Sequence, residues 1–427
     1  MLNGWRWAPP VGRMSGSLAR SAWKAGAIAG VLVFVLKWIV GAQLFDSAAM
    51  AGNPWTFGFE VGHIAGNLAA GHGFAVSREA GVYIPTAWVS PLYPLLIAGV
   101  FKVFGAYTQA SAEALLALNC AFQGATAALL FWMAARWWNT TAGWLAVALF
   151  AANPNGWQFL SWVWPSHLFA FTVLLHIAAL VWPASNPRTR GVAIGGSFAL
   201  ALMADGAAIA IAPVTLLHLF WQGADARRAV ALVALLAFAL GVAPWTIRNS
   251  AQFGGFNPLR GNVGVNLWVG NYPGAEAESF HGLAPSPWHD ANEGERFARL
   301  GERSYDRDAR GRALDVIGND PVRFVKNTLA RFVGFWFGEW WTGWGHIAAV
   351  YSIGLALLSG LALFGGIRAR ASGTGALLVA LLFFGGPYYL TVHGHGRYRV
   401  PVEPLMCLLA VARPLREARV AAEEEST

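Results

Sequence analysis

The sequence predicts an all-α polytopic membrane protein, and its composition and apolar patterning are the observations that predict it. Hydrophobic residues make up 56% of the 427 residues, whereas only 12% are charged. A soluble chain usually carries about a quarter charged residues. Apolar runs of roughly 15 to 25 residues recur along the chain, and a helix of that length crosses a bilayer.

The basic charge fits the same class of protein. A formal net charge of +8 can indicate nucleic-acid binding, but here the basic residues fall between the apolar runs, as they do in cytoplasmic loops. The two cysteines, Cys120 and Cys407, lie within apolar runs, which disfavours a disulfide framework, and no C-x-x-C motif is present. The sequence therefore predicts membrane lipid, and no nucleic acid, as a partner.

Basic residues precede the first apolar run, residues 25–44. The run is long for a signal peptide, and no small-x-small cleavage site follows it. An uncleaved helix running outward from the cytoplasm is therefore favoured over a cleaved signal peptide. Residues 46–110 then form the first outer loop.

The remaining runs predict a bundle of about ten transmembrane helices, with both termini cytoplasmic. One short run, residues 91–104, is predicted to lie flat in the outer interface. If it crossed the membrane, Arg136 would lie outside, against the positive-inside rule. The predicted spans are residues 25–44, 111–135, 141–152, 168–182, 191–221 (two pieces broken near Asp205), 229–245, 346–367, 374–390 and 400–411.

The whole chain is predicted to be a single polytopic domain, residues 1–427, with a second large outer loop at residues 248–345. Within that loop, residues 294–321 are predicted to form one charged helix that ends at a Gly-Asn-Asp-Pro sequence. Residues 324–344 are rich in Trp and Phe, which is typical of a periplasmic interfacial helix. The second loop is expected to cap the first.

The first outer loop holds the candidate catalytic acids. Glu60 precedes His63 by one helical turn and stands before a Gly-rich turn. A carboxylate at the membrane surface can act as a general base toward a hydroxyl if partial burial raises its pKa. Asp46 and Glu79 are rival acids, and a solvated Glu60 beside a neutral imidazole is the alternative interpretation.

Aromatic and amide residues in the outer loops are candidates for substrate binding. The sequence PTAWVSPLYP, which contains Tyr93, has extended backbone fixed by proline and aromatic faces that suit a sugar or a prenyl chain. The second loop offers guanidiniums for an anion and amides for hydroxyls. Its candidates are Arg248, Arg260, Asn262, Asn266 and Asn271, although an outer arginine can simply snorkel to the interface.

The sequence HGHGRYRVPVEP stands just before the last predicted span. Arg397 and Arg399 beside a helix N-terminus suit a phosphate, and His395 adds a further donor. Arg399 can instead pair with Glu403 four residues later. The pair of His393 and His395 could instead bind a divalent metal, but it has no convergent acid. A divalent metal is therefore a disfavoured alternative, and no metal ligands are predicted. No nucleotide-binding motif is present, which disfavours a nucleotide donor.

In their order, these motifs resemble the bacterial membrane glycosyltransferases of the GT-C class, related to the protein mannosyltransferases and the lipid A aminoarabinose transferases (glycosyltransferase family 39-like). The matching sequences are the acidic loop ending in GHGF, then PLYP, PWTIRN, LRGNVGVNLWVGN and RYRVPVEP, so the resemblance covers residues 25–412. The family usually has its catalytic Asp just upstream of the loop helix. This chain has NPWTFGF there, so Glu60 is the nearest carboxylate.

The resemblance implies a location in the bacterial inner (plasma) membrane. It also implies transfer of a sugar from a polyprenyl-phosphate-linked donor to a glycan, lipid or protein acceptor on the extracytoplasmic face. Glu60, or Asp46, would be the catalytic carboxylate that takes the proton of the acceptor. The donor phosphate would be bound by Arg397, Arg399, Arg248, Arg260 and His395, and the substrate by His63, Tyr93, Asn262, Asn266 and Asn271. A transporter or flippase of lipid-linked sugars is an alternative, although no inverted repeat is visible. A non-catalytic scaffold is another.

Overall fold

The computed structural model is all-α apart from one short hairpin. It describes residues 16–77, 81–182, 186–220, 224–258, 260–276, 285–338, 345–368, 375–391 and 396–412. The hairpin pairs β1 (Ala75–Ser77) with β2 (Tyr83–Pro85) in antiparallel register, with Val76 opposite Ile84.

The helices follow one another along the chain with short connections. They are α1 (Gly16–Leu44), α2 (Ser47–Met50), α3 (Glu60–Ala69), α4 (Leu92–Phe104), α5 (Gln109–Trp137), α6 (Thr140–Ala152), α7 (Pro154–Gln158), α8 (Ser166–Val181), α9 (Pro187–Ala204), α10 (Ala212–Phe220), α11 (Ala224–Phe253), α12 (Val263–Asn271), α13 (Ala291–Leu300), α14 (Glu302–Asn319), α15 (Pro321–Phe337), α16 (Gly345–Arg368), α17 (Gly375–Phe384), α18 (Gly386–Thr391) and α19 (Glu403–Ala410). Short 3₁₀ helices cover Pro54–Phe57, Gly206–Ile211, Gly396–Tyr398 and Val400–Val402.

Four helices in the described part of the chain are long and apolar enough to cross a bilayer, which confirms the predicted class of all-α polytopic membrane protein. The spanning stretches are Arg20–Leu44, Gln109–Trp137, Arg228–Phe253 and Ala349–Arg368. Shorter apolar helices cover Leu92–Phe104, Thr140–Ala152, Ser166–Val181 and Gly206–Phe220. The total of about ten spans stays a prediction, because the other predicted spans are short or broken helices.

Small residues bring the long helices into close contact. A Cβ placed on Gly30 of α1 would lie 2.8 Å from the carbonyl oxygen of Gly124 on α5, and one on Gly124 would lie 2.7 Å from the carbonyl of Gly30. Gly195 of α9 packs in the same way against the carbonyl of Ala234 on α11. Such contacts hold helices together in a bilayer, where lipid is as apolar as the side chains.

The ends of two apolar helices, α9 and α11, can be compared with their predictions. The predicted break near Asp205 is confirmed: α9 ends at Ala204, and the Asp205 carboxylate accepts a hydrogen bond from the Ala207 N–H at 2.9 Å. The helix of the next predicted span, residues 229–245, extends beyond its predicted end. Helix α11 continues to Phe253 with Pro244 inside it, because a proline can kink a helix without ending it.

The charged segment of the second outer loop also differs from its prediction. It forms two helices, α13 and α14, which are divided at Gly301 with φ +74°, a conformation that favours glycine. Its predicted end is confirmed, because α14 stops at Asn319 and Asp320 caps α15 by accepting from the Arg323 N–H at 3.0 Å. The predicted span 374–390 is likewise split into α17 and α18.

The second outer loop packs on the first through a small core of its own. Trp88 of the first loop lies in this core with aromatic and aliphatic side chains of α12, α13 and α14. Its buried members are Trp88, Val265, Trp268, Val269, Phe297, Tyr305, Ala309 and Ala313. The two outer loops are thereby fixed relative to one another.

Single cysteine substitutions test the predicted sidedness. We expect His72→Cys, which is exposed after α3, to react with a membrane-impermeant maleimide added from outside. Arg136→Cys should react only after permeabilisation. The native Cys120 and Cys407 are buried and give little background. Strong outside labelling at position 136 would mean that α4 crosses the membrane instead of lying in the interface.

Candidate functional site

A pocket forms where the outer loops meet the ends of the membrane helices. It lies between α3, the start of α4, the connection between α7 and α8, the end of α9, and the segment before α12. Its lining residues are Val61, Val89, Ser90, Tyr93, Pro94, Trp164, Pro165, Ala204, Asp205 and Arg260. Segments that are remote in sequence therefore contribute to one concave surface, as binding sites commonly require.

Glu60 is the first residue of α3 and is half-buried beside this pocket. In the described part of the chain, no residue donates a hydrogen bond to its carboxylate. Burial raises the pKa of Glu60 above its usual range, and the positive charges of Arg260 and Arg397 partly counter that rise. A carboxylate with no hydrogen-bond donor and a raised pKa is a stronger base than an ordinary surface carboxylate.

Arg260 forms an ion pair with Asp205 at 3.1 Å, and its Nε donates to the Trp88 carbonyl at 2.9 Å. The Arg260 and Asp205 side chains are 24% and 15% exposed, so the pair is screened only in part. The sequence analysis identified Asp205 as a break in an apolar run but did not include it among the site residues. Its position could have indicated the site, because a carboxylate within the membrane is costly unless it is paired.

Arg397 lies on the 3₁₀ turn Gly396–Tyr398 and faces the same region. Its guanidinium lies 4.6 Å from the centre of the Trp164 ring and 4.7 Å from that of Tyr398, and it donates to the Tyr398 hydroxyl at 2.7 Å. Its Nε is buried and has no hydrogen-bond partner among the described residues. Arg397 thus keeps hydrogen-bonding capacity that an anionic oxygen could use.

Arg399 points into the interior. It is fully buried, donates to the carbonyls of Trp336 at 2.6 Å and Leu355 at 2.7 Å, and pairs with Glu403 at 3.2 Å. Glu403 also accepts a hydrogen bond from the amide of Asn153. The pairing that the sequence offered as the alternative for Arg399 is therefore present, and its donors lie away from the pocket.

Two more candidate residues are engaged with the backbone. Arg248 on α11 donates to the carbonyls of Thr86 at 2.6 Å and Phe74 at 2.7 Å. The Asn271 amide, at the end of α12, donates to the Leu267 and Leu390 carbonyls, each at 2.9 Å. Both side chains join separate segments of the chain instead of facing the pocket.

The other candidates are spread around the pocket. The ring of Tyr93 lines it, while its hydroxyl donates to Asn119 at 3.3 Å. Asp46 caps α2 by accepting from the Ala49 N–H at 3.0 Å, away from the lining residues. Asn262 and Asn266 are partly exposed at the start of α12 and also outside the lining. His63 follows Glu60 on α3 and packs on Trp55.

Three of the candidates, Glu79, His393 and His395, lie outside the described residues. The described residues contain no group of three or more His, Cys, Asp or Glu side chains placed to hold a metal ion. Arg260 and Tyr93 thus line the pocket, while Glu60 adjoins the lining residue Val61 and Arg397 packs on the lining residue Trp164. The charges of Arg260 and Arg397 both act on the Glu60 carboxylate.

Charged side chains also hold the wall of the pocket, residues 86–90, in place. Arg248 binds the Thr86 carbonyl, and Arg260 binds that of Trp88. Glu302, the first residue of α14, accepts hydrogen bonds from the Thr86 hydroxyl at 2.6 Å and the Ala87 N–H at 2.7 Å. Hydrogen bonds with the second outer loop and with α11 therefore hold residues 86–90 in place. No sequence pattern points to Glu302, because its partners lie over two hundred residues away.

Glu302 should make the docking of the second outer loop depend on pH. Burial raises its pKa from 4.5 to about 7, against the opposing effect of its hydrogen bonds and of Arg248. Because the folded state binds the proton more tightly, stability from this group is fully present below about pH 4.5 and is lost as pH rises to about 7.

We expect Glu302→Gln to remove that pH dependence between pH 4.5 and 7, and Glu302→Ala to cost about 1–3 kcal/mol because the Ala87 N–H loses its partner. Both effects can be followed by thermal unfolding and by proteolysis of the second loop. Glu295→Gln, at an exposed position on α13, is the matched control. Identical pH profiles for wild type and Glu302→Gln would contradict this role.

No protein-family model and no curated protein matches the sequence. Solved structures do. The chain is similar to the oligosaccharyltransferase of Archaeoglobus fulgidus in complex with Zn and sulfate, with a TM-score of 0.50 and 14% identity over 91% of this chain and 48% of that one. The chain therefore spans about half the length of that protein.

Two further likenesses have lower TM-scores. Archaeal AglB from Archaeoglobus fulgidus, in complex with an inhibitory peptide and a dolichol-phosphate, matches at 0.48 with 14% identity over 89% of this chain and 50% of that chain. ArnT from Cupriavidus metallidurans, bound to undecaprenyl phosphate, matches at 0.43 with 14% identity over 93% and 79%. Identity this low bears on the fold alone. The chain shares its fold with the archaeal oligosaccharyltransferase matched at a TM-score of 0.50, which agrees with the polytopic helical bundle that the order of its motifs predicts.

Proposed function

We propose that the protein is a glycosyltransferase that moves a sugar from a polyprenyl-phosphate-linked donor to an acceptor hydroxyl on the outer face of the membrane. The observation that carries this proposal is the meeting of a free carboxylate, Glu60, with Arg260 and Arg397 at one pocket. The archaeal protein that shares the fold is itself an oligosaccharyltransferase, which supports the reaction class.

The two arginines suit the phosphate of a lipid-linked donor. Arg397 has an unpartnered Nε among the described residues and lies against aromatic rings, where a low local dielectric strengthens its attraction for an anion. Arg260 is held in place by Asp205 and by the Trp88 carbonyl. A phosphate at the pocket would leave its hydrocarbon tail beside the apolar helices, and the sequence has no motif for a nucleotide donor.

The transfer step follows from these positions. The acceptor oxygen attacks the anomeric carbon of the donor sugar, and Glu60 takes the proton of the acceptor hydroxyl. The bond from that carbon to the phosphate oxygen breaks, and its electron pair leaves with the polyprenyl phosphate. Arg397 and Arg260 stabilise the negative charge that grows on the phosphate, and electrostatic stabilisation of this kind usually contributes most to the rate enhancement. The sugar passes through an oxocarbenium-like transition state.

Asp205 serves this step indirectly. Its carboxylate fixes the guanidinium of Arg260 at 3.1 Å, so Asp205 is a positioning residue in the proposal. A planar guanidinium that is already oriented loses less side-chain entropy when it binds an anion.

The experiment uses the full chain, in lipid nanodiscs for turnover and in liposomes for translocation, with an extract of bacterial membranes that supplies both undecaprenyl-phosphate sugars and acceptors. We expect wild type to release free undecaprenyl phosphate and Glu60→Gln to release almost none. Donor that crosses liposome membranes unchanged would indicate a transporter instead. Donor that is neither cleaved nor moved would indicate a scaffold.

A further inference from the structure

A cluster of aromatic rings lies directly next to Glu60 and outside the pocket. Trp55 packs edge-on against Phe59 at 5.1 Å between ring centres and against the imidazole of His63 at 4.5 Å. Phe59 in turn lies 5.7 Å from His289 of the second outer loop. The cluster therefore bridges the two outer loops beside the candidate base.

The rings of this cluster are open to solvent. Trp55 is 49% exposed and Phe59 is 38% exposed, and His289 is exposed as well. Aromatic side chains of this size normally bury most of their surface in a core or an interface. The exposed faces are thus available to a ligand that approaches from outside.

The backbone of Phe59 is held in a conformation that ordinarily requires glycine. Its φ is +54° and its ψ is −127°, which matches the first central position of a type II′ turn. Phe59 is also the N-cap residue of α3, yet its side chain makes no capping hydrogen bond. Neither capping nor burial accounts for a phenylalanine here, and strained backbone of this kind clusters at functional sites.

His63 adds a polar atom to the cluster. Its Nε2 is buried and has no hydrogen-bond partner among the described residues. Burial lowers the pKa of His63, so the imidazole is neutral near pH 7 and can donate or accept according to its tautomer. A buried polar atom without a partner is costly, and a bound hydroxyl would satisfy it.

We propose that Trp55, Phe59, His63 and His289 form the acceptor subsite and that the acceptor is a saccharide. The C–H face of a sugar ring stacks on the exposed aromatic faces, and one hydroxyl bonds to His63. Because Phe59 directly precedes Glu60, a ring held there presents another hydroxyl to the base. A lipid tail would use the ring faces but would leave the imidazole unpaired. This inference rests on the proposed function, since it names the acceptor class for the same site.

The first test is hydroxyl-radical footprinting of the full chain in nanodiscs, with chitotriose, mannotriose and maltotriose as probes. We expect at least one of them to protect Trp55 from oxidation. Trp162, which is 41% exposed and lies outside the cluster, should stay reactive. If none of the three probes protects Trp55, the proposal is overturned. So does a Trp55 that the bilayer already shields in nanodiscs but not in detergent, because the cluster would then be an interfacial anchor.

The second test compares variants by titration with the protecting probe. Trp55→Ala and Phe59→Ala should each raise its dissociation constant about tenfold, which corresponds to the loss of one stacking contact. Trp162→Ala should leave it unchanged. Phe59→Gly is the most informative variant, because glycine tolerates the backbone conformation: it should weaken saccharide binding without lowering the melting temperature. Binding that survives in both alanine variants overturns the proposal.

These tests are independent of sugar transfer. Saccharide binding is measured without donor, whereas binding of undecaprenyl phosphate to wild type and Arg397→Gln reports on the donor site. If wild type binds the saccharide but not undecaprenyl phosphate, the acceptor subsite is supported and the polyprenyl-phosphate donor is rejected. Donor binding with no saccharide binding would reject the subsite alone.

Discussion

We expect Glu60→Gln to transfer sugar about 10² to 10⁴ times more slowly than wild type while binding the donor normally. Glutamine keeps the size and polarity of the side chain but cannot take a proton from the acceptor. The measurement is single-turnover release of polyprenyl phosphate from a bound donor after the acceptor-containing membrane extract is added. Because Glu60 has no hydrogen bond to lose among the described residues, the melting temperature should change little.

Asp46→Asn is the control for this prediction. Asp46 caps the short helix α2 and lies outside the lining of the pocket, so its loss should affect transfer only mildly. An active Glu60→Gln beside an inactive Asp46→Asn would move the base to the exit of α1. A normal rate in both variants would refute the role of the first outer loop in the chemistry.

Arg397→Gln should weaken donor binding by about 10- to 150-fold, because it removes a charge-assisted hydrogen bond of roughly 1.5–3 kcal/mol. It should also move the acidic limb of the pH–rate profile to higher pH. The sign follows from the charge: Arg397 lowers the pKa of Glu60, so its removal raises that pKa and protonates the base at higher pH.

Arg397→Lys separates these two effects. Lysine keeps the positive charge, so the acidic limb should stay near its wild-type position, while donor binding recovers only in part without the planar guanidinium. Arg303→Gln, at an exposed position on α14, is the control for a general loss of charge. A normal donor affinity in Arg397→Gln would show that the phosphate binds elsewhere.

The long helices and their class follow from the sequence because apolar length alone decides them. Their ends follow less well. The prediction ended the span soon after Pro244 and joined α13 to α14, since local pattern does not tell a kinked helix from a terminated one or fix the φ of Gly301. Both differences come from backbone choices that tertiary packing makes.

The sequence predicts which charged residues are candidates for the site, but it does not predict which of them lie at the pocket. Arg397 and Arg399 are two residues apart and look alike in sequence, yet Arg397 lies at the pocket while carbonyls of α15 and α16 hold Arg399. Arg248 likewise meets carbonyls of the first outer loop. Every residue has a backbone carbonyl, so the sequence does not indicate which carbonyl an arginine will bind. Only the folded structure identifies such partners.

Native mass spectrometry of the full chain extracted from its own membrane tests the central claim most directly. In Glu60→Gln, where donor binds but does not react, we predict a bound polyprenyl-phosphate sugar whose mass identifies the sugar. In Arg397→Gln that adduct should be largely absent. If Glu60→Gln carries no polyprenyl-phosphate adduct, or if Arg397→Gln carries as much of it, the protein does not use this pocket to bind a lipid-linked sugar donor.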